Sequence, residues 1–329
     1  MIFDKPSVAT VALNLRPRRG SWGGANQWAS QLAQFLNFTG WRVRFDLRRP
    51  VDAVIMTHTG MTAHTSFGWK EVGGLKARHP QVRCIHRIND NDIRKNSDGM
   101  DALLEQSNKV ADHTVFVSAW LRDHHAAGWF DPRLPHSVIS PGADPSVFHP
   151  IGQIPWTEGA PFRLVTHHWS DNMAKGFDVY EAIDTAIAEG RLPDVELWIV
   201  GRWPAGIRWR AARTFAPVSG RELASLLRQC HGYVSASRFE PGAMHPVEGI
   251  QCGLPLLYHR DTGGTVETGR RYGVEIGDDI AASVGEMKRR YAELRQAVLL
   301  DPPSGDLMAL SYRRLLQSIL SVPVGTTFA

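Results

Sequence analysis

Short apolar runs alternate with stretches of helical periodicity along most of this chain, and the alternation occurs twice. In the first half, strand-like runs fall at 8–15, 41–47, 51–57, 82–88 and 112–117, with a shorter one at 137–140. Helical patterns occupy 25–38, 98–110 and 119–127. Strands and helices in this order predict a parallel sheet with crossover helices on its faces. Residues 141–161, rich in Pro and Gly, read as a linker. The scheme then resumes, with strands expected at 162–166, 196–201, 232–236 and 254–258 and helices at 177–189, 221–230, 246–252 and 280–299. The helix at 221–230 has a capping-box start, Ser219 followed by Glu222, and an apolar stripe of Leu223, Leu226, Leu227 and Cys230. A last helical pattern covers 304–320. At 329 residues the chain suits two α/β domains, divided here into 1–150 and 151–303.

Composition excludes several classes. The net charge is only +4, and the basic residues are scattered apart from Arg16, Arg18, Arg19 and the Arg48-Arg49 pair. No zinc-finger, helix-turn-helix or RNA-binding pattern accompanies them, so no nucleic-acid partner is expected. A weak attraction to anionic lipid surfaces is the more modest inference, with peripheral contact at the inner face of a membrane. The three cysteines (Cys84, Cys230, Cys252) never form a C-x-x-C pair and fit a reducing, cytoplasmic setting. The segment MIFDKPSVATVALNL carries Asp4 and lacks the long apolar stretch of a secretory signal. No run approaches the ~20 apolar residues of a membrane span. Of the eleven tryptophans, several sit beside glycine or polar loops (Trp22, Trp69, Trp169, Trp203). Core packing accounts for most of them, and a minority suit stacking on a sugar or base.

The richest segment is SASRFEPGAMHPVEGIQCGLP, residues 235–255. Glu240 ends an apolar run, Pro241-Gly242 makes a turn, and Glu248 is expected in the first turn of a helix opening at Pro246 and closing near Gly253. Helix N-termini carry unpaired N–H groups that seat phosphates, and carboxylates accept hydrogen bonds from hydroxyls. The pattern therefore suits a ligand with phosphate and polyol character, such as a nucleotide-sugar. The bland reading is a charge–dipole contact for Glu248 and a solvated turn residue for Glu240.

This segment resembles the E-x7-E signature of retaining, metal-independent glycosyltransferases of family four, through Ser237, Phe239, Glu240, Pro241, Gly242, Glu248, Cys252, Gly253 and Pro255. The resemblance implies the GT-B architecture: two Rossmann-like parallel-sheet domains facing across a cleft. The helix at 304–329 would then cross back to pack on the first domain. It also implies a nucleotide-diphospho-sugar donor and a glycan or lipid-linked acceptor, with no metal cofactor and oligomeric state left open. Lys175-Gly176 resembles the family's donor-binding K-G motif, where a lysine offsets charge growing on the departing diphosphate. Relatives usually carry an arginine where this chain has Ser170, leaving Arg202 and the His167-His168 pair as substitutes. Gly263, Gly264 and Glu267 are similar to the family's Gly-Gly loop and following acid. The resemblance implies that Glu248 holds the ribose diol, while Glu240 and the N–H groups of Gly242 and Ala243 orient sugar hydroxyls. The residues implied as catalytic are Glu240, Lys175 and His86.

The first half is less specific. Gly20, Gly23 and Gly24 lie between strand and helix, where amides can approach a diphosphate, and resemble the family's glycine loop. His86 and Arg87 end a strand and Asn89 and Asp90 follow; the family resemblance implies a histidine near the transferred sugar at this strand end, a place for His86 or Asn89, and the bland reading is a satisfied structural histidine. Asp46 lies where a dinucleotide-binding fold keeps its ribose acid. Asp90-Asn91-Asp92 forms a D-x-D that reads as solvated acids, and His58 and His64 lack the partners of a zinc site. Three rivals stay open: a nucleotide-sugar epimerase of the same architecture, an NAD-dependent dehydrogenase, and a catalytically silent sugar-nucleotide-binding protein.

Overall fold

The computed structural model describes residues 8–18, 20 and 23–321; Asp4, Arg19 and Trp22, singled out above, lie outside them. Along the chain run β1 (Thr10–Leu13), α1 (Gly24–Phe38), β2 (Arg42–Arg44), β3 (Ala53–Met56), α2 (Trp69–Arg78) and β4 (Arg83–Ile88). Then come α3 (Asp92–Lys95), α4 (Met100–Asn108), β5 (His113–Phe116), α5 (Ala119–Gly128) and β6 (His136–Val138). The second half holds β7 (Phe162–His168), a 3-10 turn (Met173–Lys175), α6 (Phe177–Ala188), β8 (Val195–Gly201), β9 (Arg213–Phe215) and α7 (Gly220–Leu227). It continues with β10 (Gly232–Ser235), α8 (Met244–Gln251), β11 (Leu256–His259), α9 (Thr265–Tyr272) and β12 (Gly273–Ile276). Three more helices follow among the described residues: α10 (Ile280–Arg289), α11 (Tyr291–Leu300) and α12 (Gly305–Ile319).

Of the described residues, 8–18, 24–140 and 305–321 form one compact unit, and 20, 23 and 141–304 form another. The first unit holds a six-stranded parallel sheet in the order β2-β1-β3-β4-β5-β6. Trp28, Leu32 and Leu36 of α1 pack in one buried cluster with Met308, Tyr312 and Leu316 of α12. The Trp28 and Tyr312 rings meet edge to face, 5.7 Å between centroids.

The second unit holds another six-stranded parallel sheet, in the order β12-β11-β10-β7-β8-β9. Residues 141–150, expected to close the first half, belong to it instead. Ala143 and Phe148 are buried among Val165, Trp198, Tyr233 and Leu254, and the Ala143 amide donates to the Pro303 carbonyl at 3.1 Å.

Other expectations are corrected in detail. The helix expected at 280–299 is two helices, because Arg290 leaves helical geometry (φ −94°, ψ 6°). The break turns Tyr291 inward, edge-on to Phe162 at 5.7 Å, with its hydroxyl accepting from the Trp156 amide at 3.1 Å. Ser219 caps α7 without a side-chain hydrogen bond, so the expected capping box does not form. Helices α2, α3 and α9 and strands β9 and β12 were not foreseen. Among the described residues, no helix is long and apolar enough to cross a membrane.

Candidate functional site

In the second sheet β7 lies at the centre. The chain leaves it towards β8 on one side and later crosses to β10 on the other. Where connections diverge in this way, the carboxyl ends of the two strands open a crevice that takes ligands. His167 and His168 end β7, Lys175 lies in the turn beyond it, and Glu240 lies in the loop after β10.

That turn is fixed locally. The Asn172 side chain accepts from the Ala174 amide at 2.9 Å and caps it. Gly176 follows at φ +82°, and a Cβ there would sit 2.1 Å from the Ala236 carbonyl oxygen, so only glycine fits. The Arg238 amide donates to the Ala174 carbonyl at 2.9 Å, and its guanidinium grips Asp178 through two bonds of 2.9 and 2.6 Å. That contact holds the Asp178 carboxyl below its usual range. The result is a direct ion pair between Lys175 Nζ and Glu240 Oε1, both largely buried. The Gly264 amide donates to the Glu240 carbonyl at 2.8 Å, and Gly263 forms a bridge with Glu240. Lys175, Glu240, Gly263 and Gly264 are thus brought together. Phe239, beside Glu240, is held at φ +53°, a strained conformation for a bulky side chain that the sequence did not announce.

Glu248 departs from expectation. Helix α8 opens at Met244, so Pro246 is its third residue and Glu248 its fifth, past the first turn. Ala243 is the N-cap and Gly242 precedes it, so both lead into the helix N-terminus. The helix lies directly on β10: a Cβ on Gly249 would meet the Tyr233 ring at 2.3 Å. This approach buries Glu248 to 1% exposure, with Oε2 at 2.8 Å from His167 Nε2. Oε1 has no hydrogen-bond partner among the described residues. The Tyr233 hydroxyl lies 2.9 Å from His167 Nδ1 and 3.0 Å from His245 Nδ1, and His245 Nε2 lies 3.3 Å from Ser237 Oγ. None of these partners was singled out as functional from the sequence except His167. Their signal was histidines at strand and helix ends, which is weak by itself.

His168 does not supply the second positive charge expected near Ser170. Burial above all, in a cluster shared with His245 and Lys175, holds His168 well below its ordinary pKa. Its Nε2 bonds the Tyr180 hydroxyl at 2.9 Å, and His167 is committed to Glu248. Ser170 serves the turn, its hydroxyl accepting from the Asn172 amide at 3.2 Å. Arg202 is exposed and donates from Nη1 to the Trp169 carbonyl at 3.0 Å, which puts a cation beside the residue preceding Ser170.

In the first unit, His86 lies inside the sheet. It is wholly buried within β4, with Nδ1 2.9 Å from Asn108 Oδ1, and burial pushes its pKa down to about 4. Its Nε2, also buried, has no hydrogen-bond partner among the described residues. Asn89 is half-buried, with its side-chain oxygen 3.4 Å from the Thr57 hydroxyl. Of the D-x-D acids, Asp90 pairs with Arg94 and Lys95 at 3.2 and 3.1 Å, and Asp92 accepts from the Met100 amide at 2.6 Å. Asp101, His124 and His125 also gather, yet His125 accepts from Trp129 at Nδ1 (3.0 Å) and contacts the Asp90 carbonyl through Nε2 (3.1 Å). Both ring nitrogens are therefore taken. Asp46 accepts from the Arg48 amide in an exposed turn. Gly24 is the first residue of α1, and open space surrounds the Cβ position of Gly23.

No protein-family model matches the chain, and no curated protein matches it. Solved structures do. Sucrose-phosphate synthase from Thermosynechococcus elongatus is 14% identical, with a TM-score of 0.66 over 96% of this chain and 100% of its own. HepE from Anabaena, in complex with UDP, gives 13% identity and 0.66 over 94% and 100%. The catalytic domain of starch synthase IV from Arabidopsis thaliana, bound to ADP and acarbose, gives 10% and 0.66 over 96% and 100%. The fold is GT-B. In a GT-B chain, a β7–β10 switch point carrying a lysine–glutamate pair and a glycine loop can hold an anion and hydroxyls at once.

Proposed function

We propose that this GT-B protein is a glycosyltransferase. It would move a sugar from a nucleotide-diphospho-sugar to a glycan or lipid-linked acceptor, with retention of configuration and without a metal. The observation that carries the reading is the Lys175–Glu240 pair, bonded to the Gly263-Gly264 loop at the switch point of the second sheet. HepE, which shares the fold, binds UDP-glucose.

Lys175 and Arg202 would offset the charge that develops on the leaving diphosphate, as fixed cations do where no metal serves. Glu240 would orient sugar hydroxyls once Lys175 turns to phosphate, helped by amides at Gly242 and Ala243. Glu248 would accept from the ribose diol. Gly23 and Gly24 would offer amides to a phosphate at the turn leading into α1. A cytoplasmic setting agrees with three buried cysteines, all free.

The test is a panel of UDP-, ADP- and GDP-sugars in thermal unfolding, followed by transfer assays with the donor that binds. A donor at 100 times its Kd stabilises the native state by about 2.7 kcal/mol. With that donor, Lys175→Ala is expected to lower kcat by roughly 10²- to 10³-fold with a smaller change in affinity. A melting midpoint indifferent to every donor, or full turnover in the lysine variant, rejects the assignment.

A further inference from the structure

Five side chains of the second unit form one continuous line of hydrogen bonds ending on Glu248. Ser237 Oγ lies 3.3 Å from His245 Nε2, and His245 Nδ1 lies 3.0 Å from the Tyr233 hydroxyl. That hydroxyl is 2.9 Å from His167 Nδ1, and His167 Nε2 is 2.8 Å from Glu248 Oε2. Ser237, Tyr233, His167 and Glu248 are each at most 1% exposed.

We propose that His167 is a positioning residue, which fixes Glu248 so that its second carboxylate oxygen faces the ribose diol of the nucleotide. The inference rests on the donor reading above and adds to it what aims the carboxylate.

The bonds can be ordered from the groups themselves. A carboxylate only accepts, so the proton on this contact belongs to His167 Nε2. His167 Nδ1 then accepts, and takes the Tyr233 hydroxyl proton. The tyrosine oxygen has lone pairs left, which receive the His167 amide at 3.1 Å and the Nδ1–H of His245. His245 Nε2 remains to accept from Ser237. Burial, then the charge of Lys175, keeps His245 well below its ordinary pKa, in keeping with a single ring proton. Every group from Ser237 to His167 is satisfied by this one polarity, which runs on to the carboxylate.

At the end of the line the two oxygens of Glu248 differ. Oε2 is filled by a rigid ring that is itself held at its far nitrogen, whereas Oε1 has no partner among the described residues. A buried carboxylate with a purely structural task is satisfied at both oxygens, because leaving one bare costs stability. An oxygen held in one direction and short of a donor is what a ligand hydroxyl completes. Gly249 contributes by letting α8 settle on the Tyr233 ring, which places Glu248 within reach of His167.

The experiment compares UDP, ADP and GDP with their 2′,3′-dideoxy counterparts on the unaltered protein, His167→Phe, His167→Gln and Tyr233→Phe. The unaltered protein is expected to bind one ribonucleotide about tenfold or more tighter than its dideoxy form, the worth of a hydrogen bond to a charged group. His167→Phe should erase that preference. His167→Gln, whose amide can donate to Oε2, should restore most of it. Tyr233→Phe keeps the ring against Gly249 but removes the hydroxyl that orients His167, and should weaken the preference even if His167→Phe does not fold. If the unaltered protein binds a nucleotide without favouring the ribose form, the inference fails together with the ribose role of Glu248 while nucleotide binding stands; if His167→Phe or Tyr233→Phe keeps the full preference, the inference alone fails. If none of the three nucleotides binds, the inference and the donor reading both fail.

Discussion

An imidazole sealed among apolar groups gives up the proton it would carry in water, and His86 records the consequence. Its folded pKa is about 4, pushed down by burial from the model-peptide value of 6.5. Between those values the unfolded chain holds more protons than the folded one. The stability linked to His86 is therefore complete above pH 6.5 and is lost as pH falls from there through about 4. The stake is on the order of 3 kcal/mol, from about 1.4 kcal/mol per unit. His168 and His245 are displaced in the same direction, so the acid side is where this protein weakens. His86→Gln should lose about 2 kcal/mol less than the unaltered chain between pH 7 and pH 4.5, read from urea midpoints. Identical pH slopes would dismiss the account. The sequence showed a histidine ending an apolar strand. Whether such a ring faces a ligand or a neighbouring helix depends on what packs above it, here Asn108 of α4.

At the level of elements, α8 shows how far local rules reach. Proline suits a first helical position because its missing N–H would be unpaired there. The same holds for the second and third positions, whose N–H groups also lack partners within the helix. Pro246 therefore fixes the first turn but not the residue that begins it, and Glu248 falls two residues deeper than its sequence implied. The face of α8 is set by Gly249, pressed against Tyr233. Gly249→Ala would drive a methyl group into that ring, and overpacking of this kind costs about 1–3 kcal/mol. The expected outcome is a lower urea midpoint together with weaker nucleotide binding, since the helix must lift and carry Glu248 with it. Unchanged binding in a destabilised variant would separate the packing from the site. The division of 280–299 at Arg290 was equally hidden from local pattern, because the break serves Tyr291, whose partners Trp156 and Phe162 lie far away in sequence.

For the whole molecule, the decisive long-range fact is that the chain leaves the first unit at Ser140 and supplies it again from Gly305 onwards. Helix α12 covers Trp28, Leu32 and Leu36, all buried to within about 1%. Truncation before Gly305 would expose that stripe, and each large side chain returned to water costs about 1.5–3 kcal/mol. Limited proteolysis of the truncated chain should then cut mainly within residues 24–140, while 141–304, with clusters of its own, resists. Cutting spread evenly over both stretches would refute the dependence.

Two α/β sheets, their dominant helices and the segment from Glu240 to Pro255 could be read from the sequence, because apolar periodicity and turn chemistry act over a few residues. The meetings of side chains could not. Lys175 reaches Glu240 and His167 reaches Glu248 only because β7 lies beside β10, an adjacency created by a crossover that no local pattern records. Burial then decided the rest: the same residue types that would be solvated acids and bases on a surface become, inside, a paired lysine, a neutral histidine and a carboxylate with one oxygen anchored.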